Sequence, residues 1–161
     1  MSTYFLDCEF NGFGGQLLSL ALVEAVGSRV IVPEAPVRHL YMTFAHDGMT
    51  IEPWVAENVL PIMSAIPEGY EQSFPLNRRV AAEMIRDFLT ADPAPYIVTD
   101  WPDDVRYFCE SVITAPGEMV SIPSLRFEVC RVDAYPSRLN DAVQHNALWD
   151  ALALRDLLLK D

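Results

Sequence analysis

Asp7 and Glu9 lie two residues apart in an otherwise apolar run, Tyr4-Phe5-Leu6-Asp7-Cys8-Glu9-Phe10. In a strand, side chains at i and i+2 leave the same face, so two carboxylates would stand side by side. Such a pair is costly to bury unless something positive sits between its members. A divalent cation is one answer; the exposed face of an edge strand is the competing one. A second acidic group, Asp100, Asp103 and Asp104, follows directly on the short apolar run Tyr96-Ile97-Val98-Thr99. In α/β sheets sites are built at the carboxyl ends of strands, although Asp103 or Asp104 could equally cap the next helix, where acids are favoured. His145 and Asp150 are five apart. Within one continuous helix that spacing would set them off a common face. Asn146 is a good N-cap, however, which puts His145 on the approaching loop and Asp150 in the first or second turn, where both can face one cleft. Either residue alone is more commonly an ordinary surface or hydrogen-bonded group.

The set says more than its members. Four carboxylates from two strand ends and one helix can hold two divalent ions through oxygen ligands, which suits Mg²⁺ or Mn²⁺. Two such ions about 3.5–4 Å apart stabilise the attacking and leaving oxygens of phosphoryl transfer. A histidine with a pKa of about 6.5 can take the proton from an attacking water. Together these residues point to metal-assisted phosphodiester hydrolysis.

The elements that must position them follow from pattern. Strands are predicted over about Thr3–Phe10 and Leu17–Ala25, joined by a turn containing Gly12, Gly14 and Gly15. An extended segment over Arg29–Val32 and a further strand over Arg38–Phe44 complete an antiparallel meander. Pro53–Met63 reads as a short helix with a proline in its first turn and another near its end. Val80, Met84, Ile85, Phe88 and Leu89 follow helical spacing, with Asn77 as N-cap. Tyr96–Thr99 reads as a buried strand, Asp103–Ile113 as a helix, Pro116-Gly117 as a turn and Phe127–Val132 as a strand. Ala147–Leu159 reads as an amphipathic helix with Leu148, Ala151, Leu152, Leu154 and Leu158 on its apolar side. The order predicts an α/β domain with a mixed sheet.

The chain has 161 residues, about one domain spanning 1–161 and enough for a core without staples. Lys and Arg number 11 against 23 Asp and Glu, a formal charge of -12, which disfavours a broad basic nucleic-acid face. It does not disfavour a metal site, because bound cations invert the local charge. Cys8, Cys109 and Cys130 are an odd, widely spaced set with no CxxC pair, and no disulfide framework is expected. The start lacks a basic n-region and no apolar run approaches the ~20 residues of a membrane span, so the expected compartment is the cytoplasm.

Asp7-x-Glu9, an acid after a central strand, and His145-x-x-x-x-Asp150 resemble the three motifs of the DEDDh 3'-5' exonucleases, members of the ribonuclease-H-like superfamily. Within that family the chain is most similar to the small bacterial exoribonucleases typified by the mycobacterial adenylate-specific RNase. The Asp-x-Glu-Phe start is matched by Asp7-Cys8-Glu9-Phe10 and a Trp-Val…Val-Leu-Pro stretch by Trp54-Val55-Ala56-Glu57-Asn58-Val59-Leu60-Pro61. The last motif is matched by His145-Asn146-Ala147-Leu148-Trp149-Asp150-Ala151. The resemblance implies a ribonuclease-H-like mixed sheet, an antiparallel N-terminal meander plus a parallel strand, flanked by helices. It implies hydrolysis of single-stranded RNA from the 3' end to nucleoside 5'-monophosphates. Asp7, Glu9, Asp104 and Asp150 would hold two Mg²⁺ or Mn²⁺ ions, with His145 as general base. Asp100 is the second choice for the Asp104 role and Asp103 the third: Asp100 stands where many family members have an Asn. The family also suggests a homodimer.

Phe10, Phe13 and Trp54 are candidate stacking surfaces for a terminal base, with core packing the alternative for each. Asn11 and the Gly12–Gly15 backbone could meet the terminal sugar, and a 2'-OH contact would select RNA over DNA. Gly12-Phe13-Gly14-Gly15 is no phosphate-cradling P-loop, since no Gly-Lys-Ser/Thr follows. Arg78 and Arg79 could meet phosphates or simply be solvated. The rival readings are the same chemistry on DNA, a non-catalytic nucleic-acid- or protein-binding domain of the same fold, and an acidic interaction module whose carboxylates are surface groups.

Overall fold

The computed structural model describes residues 1–26, 36–136 and 141–159. Its centre is a five-stranded mixed sheet in the order β3-β2-β1-β4-β7. The strands are β1 (Thr3–Phe10), β2 (Leu17–Glu24), β3 (His39–Thr43), β4 (Tyr96–Thr99) and β7 (Arg126–Val129); a separate hairpin joins β5 (Ile113–Ala115) to β6 (Glu118–Met119). β1 pairs antiparallel with β2, and β2 with β3, while β1, β4 and β7 run parallel. The helices are α1 (Pro53–Asn58), α2 (Arg78–Leu89), α3 (Pro102–Ser111) and α4 (Ala147–Leu158). The expected α/β class with a mixed sheet flanked by helices is what the chain adopts. The expected segment over Arg29–Val32 lies outside the described residues.

β1 is a central strand, so the edge-strand reading of Asp7 and Glu9 falls. Its alternation divides the core. Tyr4, Leu6 and Cys8 face one way, packing with Leu20, Leu22, Ala81, Ile85, Tyr107 and Phe108 under α2 and α3. Phe5 packs on the other side with Val98 and Leu154 of α4, and period two puts Asp7 and Glu9 on that side as well. α4 is not amphipathic as expected. Ala147, Leu148, Trp149, Ala151, Leu152, Ala153, Leu154 and Arg155 are all buried, because sheet residues cover one flank and Ile66, Tyr70, Ala142 and Val143 the other. Buried Arg155 donates to the Glu24 and Ala25 carbonyls at 3.0 and 3.1 Å, which fastens α4 to the end of β2.

Two irregularities aim the site. Glu9 opposes Ser19 but Phe10 opposes Leu17, so Leu18 is a bulge residue. Leu18 packs with Val55, Val59 and Met63, seating α1 beside the end of β1. The predicted helix over Pro53–Met63 stops at Asn58 and continues as a 3-10 turn over Leu60–Ile62. Pro61 has no N–H to donate and its ring clashes with the carbonyl four residues back. The helix predicted to reach Ile113 ends at Ser111, where β5 takes over and Pro116-Gly117 turns the chain into β6.

Candidate functional site

Five carboxylates converge at the carboxyl end of β1. Asp7, Asp100 and Asp104 each bring an oxygen within 4.8 Å of the others, and Glu9, Asp150 and His145 do the same with a ring nitrogen included. Asp7 and Glu9 come from the inner strand. Asp100 follows β4 directly, and the parallel pairing of β4 with β1 brings the two strand ends together. Asp104 lies in the first turn of α3, and the Thr99 hydroxyl donates to its Oδ2 at 2.5 Å. Asp103 does not join the cluster; it accepts the Trp101 indole N–H at 3.0 Å.

α4 delivers the remaining pair. Asn146 caps it, accepting from the Leu148 and Trp149 amides, and donates to the Ile62 carbonyl at 2.8 Å. Trp149 donates its indole N–H to the Ala65 carbonyl. These bonds hold the start of the helix against the end of the 3-10 turn. His145 stands just outside, with a left-handed φ of 65° that is uncommon for a residue with a Cβ. Its backbone N–H is held by Asp150 Oδ2 at 3.0 Å, and the Trp54 ring stands T-shaped to the imidazole at 5.0 Å between centroids.

Burial dominates the electrostatics. It raises the Asp7 carboxyl well above its ordinary range, with Asp104, Asp150, Glu9 and Asp100 adding repulsion. Burial, then the charges of Asp150 and Asp104, push Glu9 up to about 8. Burial likewise raises Asp150 to about 7, against the His145 amide bond that favours its charge. Asp104 is raised by burial despite the Thr99 hydrogen bond, and Asp100 is raised by burial although Arg131 opposes the shift. Burial lowers the His145 imidazole.

Buried polar groups normally find partners. Here Asp7 Oδ2 and Asp150 Oδ1 are buried with none. Among the described residues, no Lys or Arg pairs with Asp7, Glu9, Asp104 or Asp150. An all-carboxylate set with orphaned, outward-repelling oxygens has the chemistry that hard divalent cations satisfy.

The candidate stacking residues separate. Phe10 stacks on Tyr107 at 4.7 Å and, partly buried, packs against the core. Phe13 is 97% exposed and Trp54 50%, so both present surface, Trp54 beside the histidine. The Asn11 carboxamide is already tied: it donates to the Thr50 carbonyl at 2.9 Å and accepts from the Glu52 amide at 2.8 Å. Glu52 in turn caps α1, accepting from the Trp54 and Val55 amides. Asn11 therefore positions Trp54. Gly15 is required, because a Cβ there would fall 1.8 Å from the Asn11 carbonyl oxygen. Thr99, Trp101 and Arg131 sit around Asp100 and Asp104, and their one local signal in the sequence is the aromatic inside Asp100-Trp101-Pro102-Asp103. Among the described residues no helix is long and apolar enough to cross a membrane. In comparison with known proteins, the chain matches no family model and no curated sequence.

Proposed function

We propose that the protein is a metal-dependent 3'-5' exoribonuclease that removes nucleoside 5'-monophosphates from single-stranded RNA, on a ribonuclease-H-like fold. One observation carries this reading: two orphaned buried carboxylate oxygens, Asp7 Oδ2 and Asp150 Oδ1, inside a cluster that also holds a histidine. The antiparallel meander β1–β3 joined to parallel β4 and β7 supports the fold. Direction of attack and choice of sugar rest on the resemblance of the Asp7, Asp104 and His145–Asp150 motifs to the DEDDh exonucleases. The reading extends to a homodimer working on cytoplasmic RNA.

Asp7, Glu9, Asp104 and Asp150 would hold two Mg²⁺ or Mn²⁺ ions, with Asp100 beside Asp7 and Asp104 as a further oxygen donor. Bound there, such ions stabilise charge on the attacking and leaving oxygens of a phosphodiester. His145 takes the proton of the attacking water. Its lowered pKa keeps the ring neutral and able to accept near pH 7. Asp150 holds the His145 backbone, so the loop and its ring stay near the carboxylates. Trp54 offers its half-exposed ring to the terminal base. The bond that breaks joins phosphorus to O3' of the penultimate nucleotide, leaving a 5'-monophosphate and a new 3'-hydroxyl. The test is a 5'-labelled single-stranded RNA beside the same sequence as DNA, with Mn²⁺ or Mg²⁺. A ladder shortening from the 3' end in RNA, lost in Asp150→Ala, is expected. A ladder in DNA alone would move the enzyme to the other sugar, and an intact strand in both would end the nuclease reading.

A further inference from the structure

The carboxylate cluster has an aromatic residue on each flank. Trp54 and His145 lie on the Glu9–Asp150 side. On the Asp100–Asp104 side stands Trp101, 47% exposed, with the Arg131 guanidinium over its ring at 4.6 Å from the centroid. Four bonds make this pair a fixed feature rather than a loose surface contact. The Trp101 indole N–H is held by Asp103 Oδ2 at 3.0 Å. Its backbone N–H donates to the Thr99 hydroxyl oxygen at 3.2 Å, and that hydroxyl donates to Asp104. The Cys130 amide donates to the Thr99 carbonyl at 2.8 Å, which keeps the chain after β7 alongside the end of β4 and Arg131 next to Trp101. Trp101 is thus tied to the carboxylate Asp104 through one threonine.

Charge gives the pair a role. A phosphodiester approaching this end of the sheet meets five carboxylates in a chain of net charge -12. Arg131 is a cation at their border, close enough that its charge works against the burial that raises the Asp100 carboxyl. Among the described residues it forms no ion pair with a carboxylate. A guanidinium stacked on a ring keeps N–H donors at its edge in the fork geometry that suits phosphate, and both indole and guanidinium planes stack nucleobases.

We propose, resting on the nuclease reading above, that Trp101 and Arg131 form a second nucleotide-binding surface: a base of the single strand stacks on the indole–guanidinium layer while the guanidinium edge pairs with a backbone phosphate. The substrate then bridges two aromatic stations, Trp54 and Trp101, with the carboxylates between them. Arg131 binds phosphate and takes no part in moving protons.

The test is fluorescence anisotropy with 5'-fluorescein-labelled pentauridylate and pentathymidylate, in Ca²⁺ and across a salt series, on the full chain. Trp101→Ala is expected to weaken binding about 5- to 150-fold, the stacking range for one base, with the slope of log affinity against log salt unchanged. Arg131→Ala is expected to weaken binding and flatten that slope by about 0.7, one phosphate contact on a single strand. Arg131→Lys keeps the charge and is expected to keep the slope. Variants that bind as wild type does, with the wild-type slope, overturn the proposal, as does a wild-type protein that binds neither pentamer. Cleavage is followed in parallel in Mn²⁺. Wild type that binds with the Arg131-dependent slope but cleaves nothing retains this surface and removes the nuclease reading; cleavage with unaltered variant binding does the reverse.

Discussion

Five carboxylates in one cluster should weaken the protein when the cations proposed for them are absent, and Asp150 allows the size of that effect to be worked out. Asp150 ionises at 3.8 in an ordinary setting and at about 7 in the native site, chiefly because of burial. Between those values the native protein holds a proton that the unfolded chain has released, so stability falls as the pH rises through the window. Each tenfold difference in proton affinity is worth about 1.4 kcal/mol, which makes the loss about 4 kcal/mol by neutral pH. Asp150→Asn does not titrate. Its amide oxygen can still accept the His145 N–H, and its NH2 can face the other carboxylates as a donor where Oδ1 now has no partner. In EDTA the variant should match wild type near pH 4 and exceed it by about 2–4 kcal/mol at pH 8, read from urea midpoints with equal m-values. The reasoning is refuted if the variant is less stable than wild type by the same margin at both pH values.

Mn²⁺ or Mg²⁺ should raise the melting temperature of wild type near pH 7.5 by mass action, about 2.7 kcal/mol at one hundred times the dissociation constant, and the shift should vanish in Asp7→Asn by differential scanning fluorimetry. His145→Ala should lower kcat about 10²–10⁴-fold while keeping the wild-type metal-induced melting shift, which separates proton transfer from metal binding. Trp54→Ala, half-exposed, should leave the melting temperature nearly unchanged and lower kcat/KM on short RNA by roughly 5- to 150-fold. Arg155→Met leaves the Glu24 and Ala25 carbonyls without their donors and should cost about 2–5 kcal/mol in chemical denaturation, without altering the order of activity among the site variants.

The scaffold was legible where local chemistry and tertiary packing agree. The predicted strand over Thr3–Phe10 is β1 as it stands, because its apolar alternation matches a strand packed on both faces. Asn77 and Asn146 cap their helices as expected, since an N-cap depends on residues within one turn. The pairing of Asp7 with Glu9, and the placing of His145 just ahead of the helix that carries Asp150, also followed from spacing. What failed depended on distant partners. α4 reads as amphipathic, yet segments from residues 63–70 and 142–143 cover its second flank. The Pro116-Gly117 turn was legible, but the hairpin β5–β6 around it was not, because strands of three and two residues are too short to show an alternating pattern. Asn11 reads as a free hydrogen-bonding group but is tied to Thr50 and Glu52, 39 and 41 positions away. Arg131 reaches the site only because β7 lies beside β4, a fact no local pattern carries.

Single-turnover release from a 3'-end-labelled RNA tests the central claim most directly. In Mn²⁺ the first labelled product should be the terminal nucleoside 5'-monophosphate, appearing before any shorter internal fragment and absent with EDTA or Asp150→Ala. A label that stays on the strand, or leaves as an oligonucleotide or a nucleoside 3'-monophosphate, would contradict a 3'-5' exonuclease at this site.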